Sequence, residues 1–262
     1  MNYMFCSLTH PGRSRSNNED SVTFDEATGL GVLADGMGGY NAGEVASSMA
    51  TSHIKTELTH WLSKAGEHAS SREVRHALET SVDNANRSIY KAARTNPEYS
   101  GMGTTLVVGV FHRGKLFLGH VGDSRCYRLR GDQLLQVTKD HSLLQEQMDA
   151  GMLTPAQAAL SPLRNLVTRA MGVEDEVLLE VNELHVEMGD IYLMCTDGLS
   201  DMIDDAAIAG ILKSASHLTQ IADELVALAN KNGGRDNITV LLMQAVSGRE
   251  KSGLMSRWLG KH

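Results

Sequence analysis

Four short stretches of this chain set an aspartate beside a glycine or an asparagine at the edge of an apolar run. In order they are Arg15-Ser16-Asn17-Asn18-Glu19-Asp20, Val32-Leu33-Ala34-Asp35-Gly36-Met37-Gly38-Gly39, Tyr192-Leu193-Met194-Cys195-Thr196-Asp197-Gly198-Leu199 and Gly233-Gly234-Arg235-Asp236-Asn237. A buried strand is rigid, so the residue at its end is fixed in space. Glycine beside it lets the backbone turn and approach an ion closely. Several such ends converging would make a cage of hard oxygen ligands, which suits Mg²⁺ or Mn²⁺ better than zinc with its preference for His and Cys. Taken singly, Asp-Gly at a strand end is more often a plain turn. Gly122-Asp123-Ser124 in particular reads equally well as a tight hairpin. The weight lies in the joint order.

To hold these motifs the chain must supply strands that end at them. Apolar runs predict strands over 4–9, 21–24 and 30–34, then helices over 42–62 and 72–94. In the second helix Val74, Leu78, Val82, Ala85 and Ile89 recur at three- and four-residue intervals and mark one buried face. Asn96-Pro97 ends it. A meander follows over 104–111, 115–121, 125–130 and 133–137. Its separators, His112-Arg113-Gly114, Gly122-Asp123-Ser124 and Gly131-Asp132, have hairpin chemistry. The stretch 141–170 reads as polar and helical. Strands return over 177–184 and 190–195, helices over 204–213 and 218–231, and a last strand over 238–245.

Meanders interrupted by paired helices predict antiparallel sheets packed together with helices outside. With no repeat or low-complexity linker, residues 1–246 read as one domain. Residues 247–262 change character: Arg249, Lys251, Arg257 and Lys261 alternate with Leu254, Met255, Trp258 and Leu259. A flexible basic tail is the first reading of them, and a short amphipathic helix touching a membrane or a partner the second.

Bulk composition narrows the class. A chain of 262 residues with 42% hydrophobic and 21% charged residues can bury a sizeable core. A net charge of −8 with 5% aromatics argues against nucleic-acid binding, which relies on basic and stacking side chains. Cys6, Cys126 and Cys195 are odd in number and widely spaced, so neither a disulfide framework nor a zinc site is indicated. The first residues lack the pattern of a signal peptide, and no apolar run reaches the ~20 residues of a membrane span. A soluble, cytoplasmic protein is expected. A two-metal phosphodiesterase and a non-catalytic interaction domain remain as the competing classes.

The joint order of motifs resembles the metal-dependent protein phosphatase family, the PPM or protein phosphatase 2C type, over about residues 5–245. The carrying residues are R-x-x-N-E-D at Arg15, D-G-x-G-G at Asp35, G-T-T at Gly103, G-D-S-R at Gly122, D-H-S at Asp140, D-G-L at Asp197 and D-N at Asp236. The Asp-Gly-Met-Gly-Gly form and the compact length resemble its bacterial branch. The resemblance implies an α+β, four-layer αββα sandwich, two antiparallel β-sheets flanked by helix pairs, with metals at one end. It implies hydrolysis of phosphoserine or phosphothreonine by a metal-bridging water or hydroxide, in phosphorylated proteins paired with a Ser/Thr kinase and its targets.

Carried over residue by residue, the resemblance makes Asp35 the bridge between two Mn²⁺ or Mg²⁺ ions. Asp197 and Asp236 complete the first ion's protein ligands. The Gly36 carbonyl serves the second, with Glu19 or Asp20 acting directly or through water. Asp123, Asp197 and Asp201 match the positions of a weaker third ion, and Arg15 matches the residue that clamps the phosphate.

One departure stands out. Relatives often place a histidine in or just after D-G-x-G-G, where this chain has Met37 and Tyr40. His141 is a replacement proton donor by type, although a lone His near a helix start is more often structural. The stretch 145–164, with Gly151, Pro155 and Pro162, resembles the helical flap beside the site in bacterial relatives, and its polar composition leads to the expectation that it grips the protein around the phosphoresidue.

Overall fold

Alternation along the strands decides the architecture. In β3 (Leu30–Met37), Leu30, Val32 and Ala34 belong to one apolar cluster and Leu33 to another, and all four are fully buried. A strand buried on both faces has to be covered on both. Fully burying a side chain of Leu or Val size stabilises by about 1.5–3 kcal/mol, and a one-residue slip would exchange the two faces. Register is therefore strongly held.

The computed structural model describes residues 1–39, 42–158, 161, 166–214 and 217–247. One antiparallel sheet runs β1 (Asn2–His10), β11 (Ile238–Val246), β10 (Ile191–Cys195), β7 (Arg125–Arg130) and β8 (Gln133–Gln136). The other runs β2 (Asp20–Asp25), β3, β5 (Leu106–His112), β6 (Lys115–Val121) and β9 (Glu180–His185), with the two-residue β4 (Gly103–Thr104) paired to the end of β3. Phe5, Leu33, Val107, Leu118, Tyr192, Met194 and Leu241 fill the layer between the sheets.

Helices α1 (Ala42–Ala65) and α2 (Ser71–Thr95) cover the outer face of the β3 sheet through Ile54, Leu58, Leu78 and Ile89. A capping box starts α2: Ser70 accepts from the Glu73 amide while the Glu73 carboxylate accepts from the Ser70 amide. On the opposite face α6 (Asp205–Ser214) and α7 (Leu218–Lys231) bury Ile208, Leu212, Ile221 and Leu225 against Leu193 and Val240. The four-layer αββα order is as the sequence predicts.

The differences are local and informative. The predicted strand 104–111 breaks at Thr105: its amide still donates in register to the Asp35 carbonyl at 2.9 Å, but the Asp35 amide donates to Thr105 Oγ1, and the Thr105 carbonyl accepts from Thr104 Oγ1. The strand predicted to stop at Ala34 runs on to Met37, because β4 pairs with Gly36 and Met37. Within 141–170 the described residues hold only two short helices, α3 (Leu143–Asp149) and α4 (Pro155–Ala158), and Ser142 bridges Val167. The strand predicted from 177 begins at Glu180. Among the described residues no helix is long and apolar enough to cross a membrane. Tyr40, Pro162, Arg164 and the tail from 248 onward lie outside the described residues.

Candidate active site

The predicted carboxylates arrive from four elements at one end of the two sheets. Asp35 comes from β3, and Asp123 from the turn between β6 and β7, which is not the hairpin its sequence suggests but the crossing from one sheet to the other. Asp197 opens the short helix α5 (Asp197–Ser200) directly after β10, and Asp236 precedes β11. Together with Arg15, Glu19, Gly36 and Met37 they line a cleft of about 260 Å³.

Backbone anchors hold each of them. The Asp35 amide donates to Thr105 Oγ1 at 3.0 Å, and the Asp35 carbonyl accepts from the Thr105 amide and from Thr104 Oγ1. Thr105 Oγ1 in turn lies 2.7 Å from Ser124 Oγ. The G-T-T and G-D-S motifs thus meet behind Asp35. Two glycines are there for room. A Cβ on Gly36 would sit 2.1 Å from the Gly43 carbonyl oxygen, and one on Gly198 would sit 1.9 Å from that of Asn237. Both are contacts with backbone that cannot yield, so the strand ends close only with glycine at these positions.

Asn237 is the residue whose work the motif reading missed. Its Oδ1 accepts from the Glu19 amide at 2.7 Å, and its Nδ2 donates to the carbonyls of Pro11 and Asn17. It staples the Arg15–Glu19 loop to the last strand. The signal was present in D-N, but a short polar side chain after an aspartate says nothing by itself about a contact more than two hundred residues away.

Two of the predicted residues stand apart from the cleft surface. Asp20 is buried opposite Asp35 in the β2–β3 register. Its Oδ2 accepts from Thr196 Oγ1 at 2.9 Å and from Thr239 Oγ1 at 2.6 Å. Its Oδ1 is buried without a hydrogen-bond partner. Asp201 is exposed, one turn on from Asp197, with its amide donating to the Asp197 carbonyl at 2.7 Å. Arg15 does line the cleft, and its Nη2 donates to Asp236 Oδ2 at 2.8 Å.

His141 is not in the lining; it is buried against Gly122 in the turn that carries Asp123. Among the described residues no histidine lines the cleft, so the proton donor suggested by residue type has no place at the reacting end.

Electrostatics explain what this arrangement requires. Burial first, and then the charges of Asp20, Asp197, Asp123 and Asp236, hold the Asp35 carboxyl well above the usual range. Burial, then Asp123, Asp201 and Asp236, do the same to Asp197. Asp20 and Asp123 are each pushed up to about 6, mainly by burial. Negative charge is thus packed more densely than the cleft can tolerate, and among the described residues the only guanidinium in its lining belongs to Arg15. Divalent cations resolve the excess. The donors are all oxygen, and one buried carboxylate oxygen has nothing to bind, which fits hard ions. Such ions take one or two carboxylates each and keep several waters, so carboxylates spread around a cleft suit a pair of them.

A stability consequence follows for the metal-free protein. These aspartates hold protons more tightly in the folded chain than in the unfolded one, where they titrate near their ordinary 3.8. Folding therefore takes up protons, and stability declines as pH rises from about 4 through 6 and beyond. His141, whose pKa burial lowers, acts in the opposite sense but is one group against four. In EDTA the melting temperature is expected to be higher at about pH 5.5 than at about pH 7.5, with the order reversed in Mn²⁺. Scanning calorimetry checks this; greater stability at the higher pH in EDTA would contradict it.

Comparison with known proteins gives one answer. Residues 10–243 match the family described as Protein phosphatase 2C. The serine/threonine phosphatase stp of Listeria innocua is 36% identical over 242 residues, covering 90% of this chain and 93% of the relative. The protein phosphatase PhpP of Streptococcus pneumoniae is 36% identical over 239 residues, covering 90% and 95%. Among solved structures, the serine/threonine phosphatase PstP/Ppp of Mycobacterium tuberculosis superposes with a TM-score of 0.86 at 36% identity, over 94% of this chain and all of that one. The catalytic domain of a phosphatase PstP in complex with two manganese ions superposes with a TM-score of 0.82 at 35% identity, over 94% and 99%.

Proposed function

The chain belongs to the protein phosphatase 2C family, and from that membership we propose how its cleft works as a metal-dependent protein serine/threonine phosphatase. Asp35 would serve both of two ions. Asp197 and Asp236 would complete the protein ligands of one, and the Gly36 carbonyl would serve the other, with Glu19 or Asp20 acting directly or through water. Asp123, Asp197 and Asp201 would hold a weaker third ion. The observation that carries this reading is the convergence of Asp35, Asp197 and Asp236 on one cleft, where Arg15 pairs with Asp236 and leaves Asp35 and Asp197 without a cationic partner among the described lining residues. Bound Mn²⁺ or Mg²⁺ supplies a hydroxide at neutral pH and offsets the charge of the phosphate.

The chain's own part is to orient and to bind. Thr104 and Thr105 fix the backbone of Asp35, and Asn237 fixes the loop that presents Arg15 and Glu19. The guanidinium of Arg15 offers a planar fork matched to phosphate oxygens. It is paired with Asp236, so neutralising Asp236 with a cation turns the fork free for substrate. The substrates are phosphorylated proteins. A Ser/Thr kinase sharing those targets completes the proposal, as does a division into a phosphatase domain over 1–246 and a basic tail over 247–262.

Phosphate release from a phosphothreonine peptide in Mn²⁺ buffer tests the reading, and no release by the loaded full chain would overturn it. In that assay Arg15→Ala is expected to cut kcat/KM by about one to three decades, or ~1.4–4 kcal/mol of transition-state binding. Mn²⁺ affinity should barely change. A large loss of metal affinity with unchanged chemistry would remove Arg15 from the phosphate-binding role.

A further inference from the structure

Outside the cleft, His120, His141 and Glu180 bring donor atoms within 4.8 Å of one another. The two imidazoles are buried and stacked, 4.6 Å between centroids and 12° between planes. Lone pairs lie in the ring plane, so two nearly parallel rings cannot both aim at one ion. The tautomer argues the same way. The Gly122 N–H donates to His141 Nδ1 at 3.1 Å, so Nδ1 is unprotonated and the ring proton sits on Nε2, facing Glu180 Oε2 at 3.5 Å. A ring nitrogen that carries a proton is not a ligand.

The same geometry assigns His141 another task. Its backbone amide donates to the Gly122 carbonyl at 2.9 Å while its Nδ1 accepts from the Gly122 amide. One residue thus grips both polar groups of the glycine that precedes Asp123. That glycine has φ +99°, and a Cβ there would meet Thr105 at 2.7 Å, so the turn has little room to settle elsewhere. The neighbours of His141 are anchored as well. Asp140 accepts a two-pronged contact from Arg125, Nε to Oδ1 at 3.0 Å and Nη2 to Oδ2 at 2.7 Å. The His141 carbonyl accepts from the Thr168 amide, and the Leu143 amide donates to the Leu166 carbonyl, on either side of Val167 in the cleft wall.

We propose that His141 is a positioning residue: its unprotonated Nδ1 sets the place of the Asp123 carboxylate, while its backbone joins that turn to the wall at Val167. This rests on the reading of Asp123 as a carboxylate for the weaker ion.

Mn²⁺ titration of the full chain by calorimetry, beside kcat and KM on a phosphothreonine peptide, tests it with three variants. His141→Phe keeps a ring on His120 and removes the acceptor. His141→Asn places an amide oxygen where Nδ1 stands. Asp123→Ala removes the carboxylate itself. His141→Phe is expected to weaken the low-affinity Mn²⁺ event by about tenfold or more, as loss of a partner behind a metal ligand typically does, with the two tight ions unchanged. His141→Asn should stay within about twofold of the parent, since the acceptor is retained. Parent-like binding by His141→Phe would overturn the proposal. So would an equal loss in His141→Asn, which would assign the effect to ring packing, and this arm holds even where the Phe variant fails to fold. Unchanged weak binding in Asp123→Ala would instead sink the underlying reading of that carboxylate.

Discussion

Asp35→Asn is expected to lower kcat/KM toward a phosphothreonine peptide by about three decades or more, roughly 4 kcal/mol of transition-state stabilisation. The reason is its position. Asp35 feels the charges of Asp20, Asp197, Asp123 and Asp236 together, so it is the carboxylate at the centre of the cluster. An amide there can still accept one hydrogen bond but cannot bridge two cations. Asp236→Asn should be nearly as severe. The variant should not unfold: its backbone bonds to Thr104 and Thr105 do not involve the side chain. Removing one buried acid from a repelling group should leave the metal-free protein at least as stable as the parent at neutral pH. Phosphate release, beside melting curves in EDTA, measures both effects. Near-parental turnover by purified Asp35→Asn with its ions depleted would refute the bridging role.

Chelation should have the other large effect. In EDTA the parent is expected to lose activity to the background of the assay, and Mn²⁺ or Mg²⁺ should restore it. The residues lining the cleft make this outcome steep. Apart from Arg15, the ionisable residues among them, Glu19, Asp35, Asp123, Asp197 and Asp236, are all carboxylic acids, and like charges at about 4 Å repel by several kcal/mol in a partly buried site. Among the described residues no lining histidine can serve as a base in place of the ions. Robust turnover after exhaustive chelation, verified by metal analysis, would mean that the carboxylates act without cations.

Layers and elements were legible in the chain because periodicity reports burial. The 3.6-residue face of α2 and the doubly buried runs of β3 and β10 leave few alternatives once each must be covered. The aspartates were legible because glycine beside a strand end marks a close approach of backbones, which Gly36 and Gly198 bear out. Two kinds of feature were not. Thr105 reads as one more β-branched residue in a strand, yet its hydroxyl takes the Asp35 amide out of the ladder. Nothing local in the sequence marks that switch. His141 and Asn237 act through partners distant in sequence, and residue type alone suggests an acid for the first and a turn for the second. Spacing predicts which residues share a face; it does not predict which nitrogen carries the proton.

The pairing of β1 with β11, from Asn2 opposite Val246 to His10 opposite Ile238, sets a timetable for the enzyme's birth. Arg15 and Glu19 emerge early from the ribosome, but the partners that hold them, Asp236 and Asn237, lie 221 and 218 residues further on. At about 5–20 residues per second that is a wait of roughly ten to forty-five seconds. Contacts of such long sequence separation also close late and slowly once the chain is whole. A nascent chain can bury β3 against α1 and α2 while its phosphate clamp is still unmoored, so the cleft is complete only when β11 docks and brings Asp236 and Asn237 to Arg15 and Glu19.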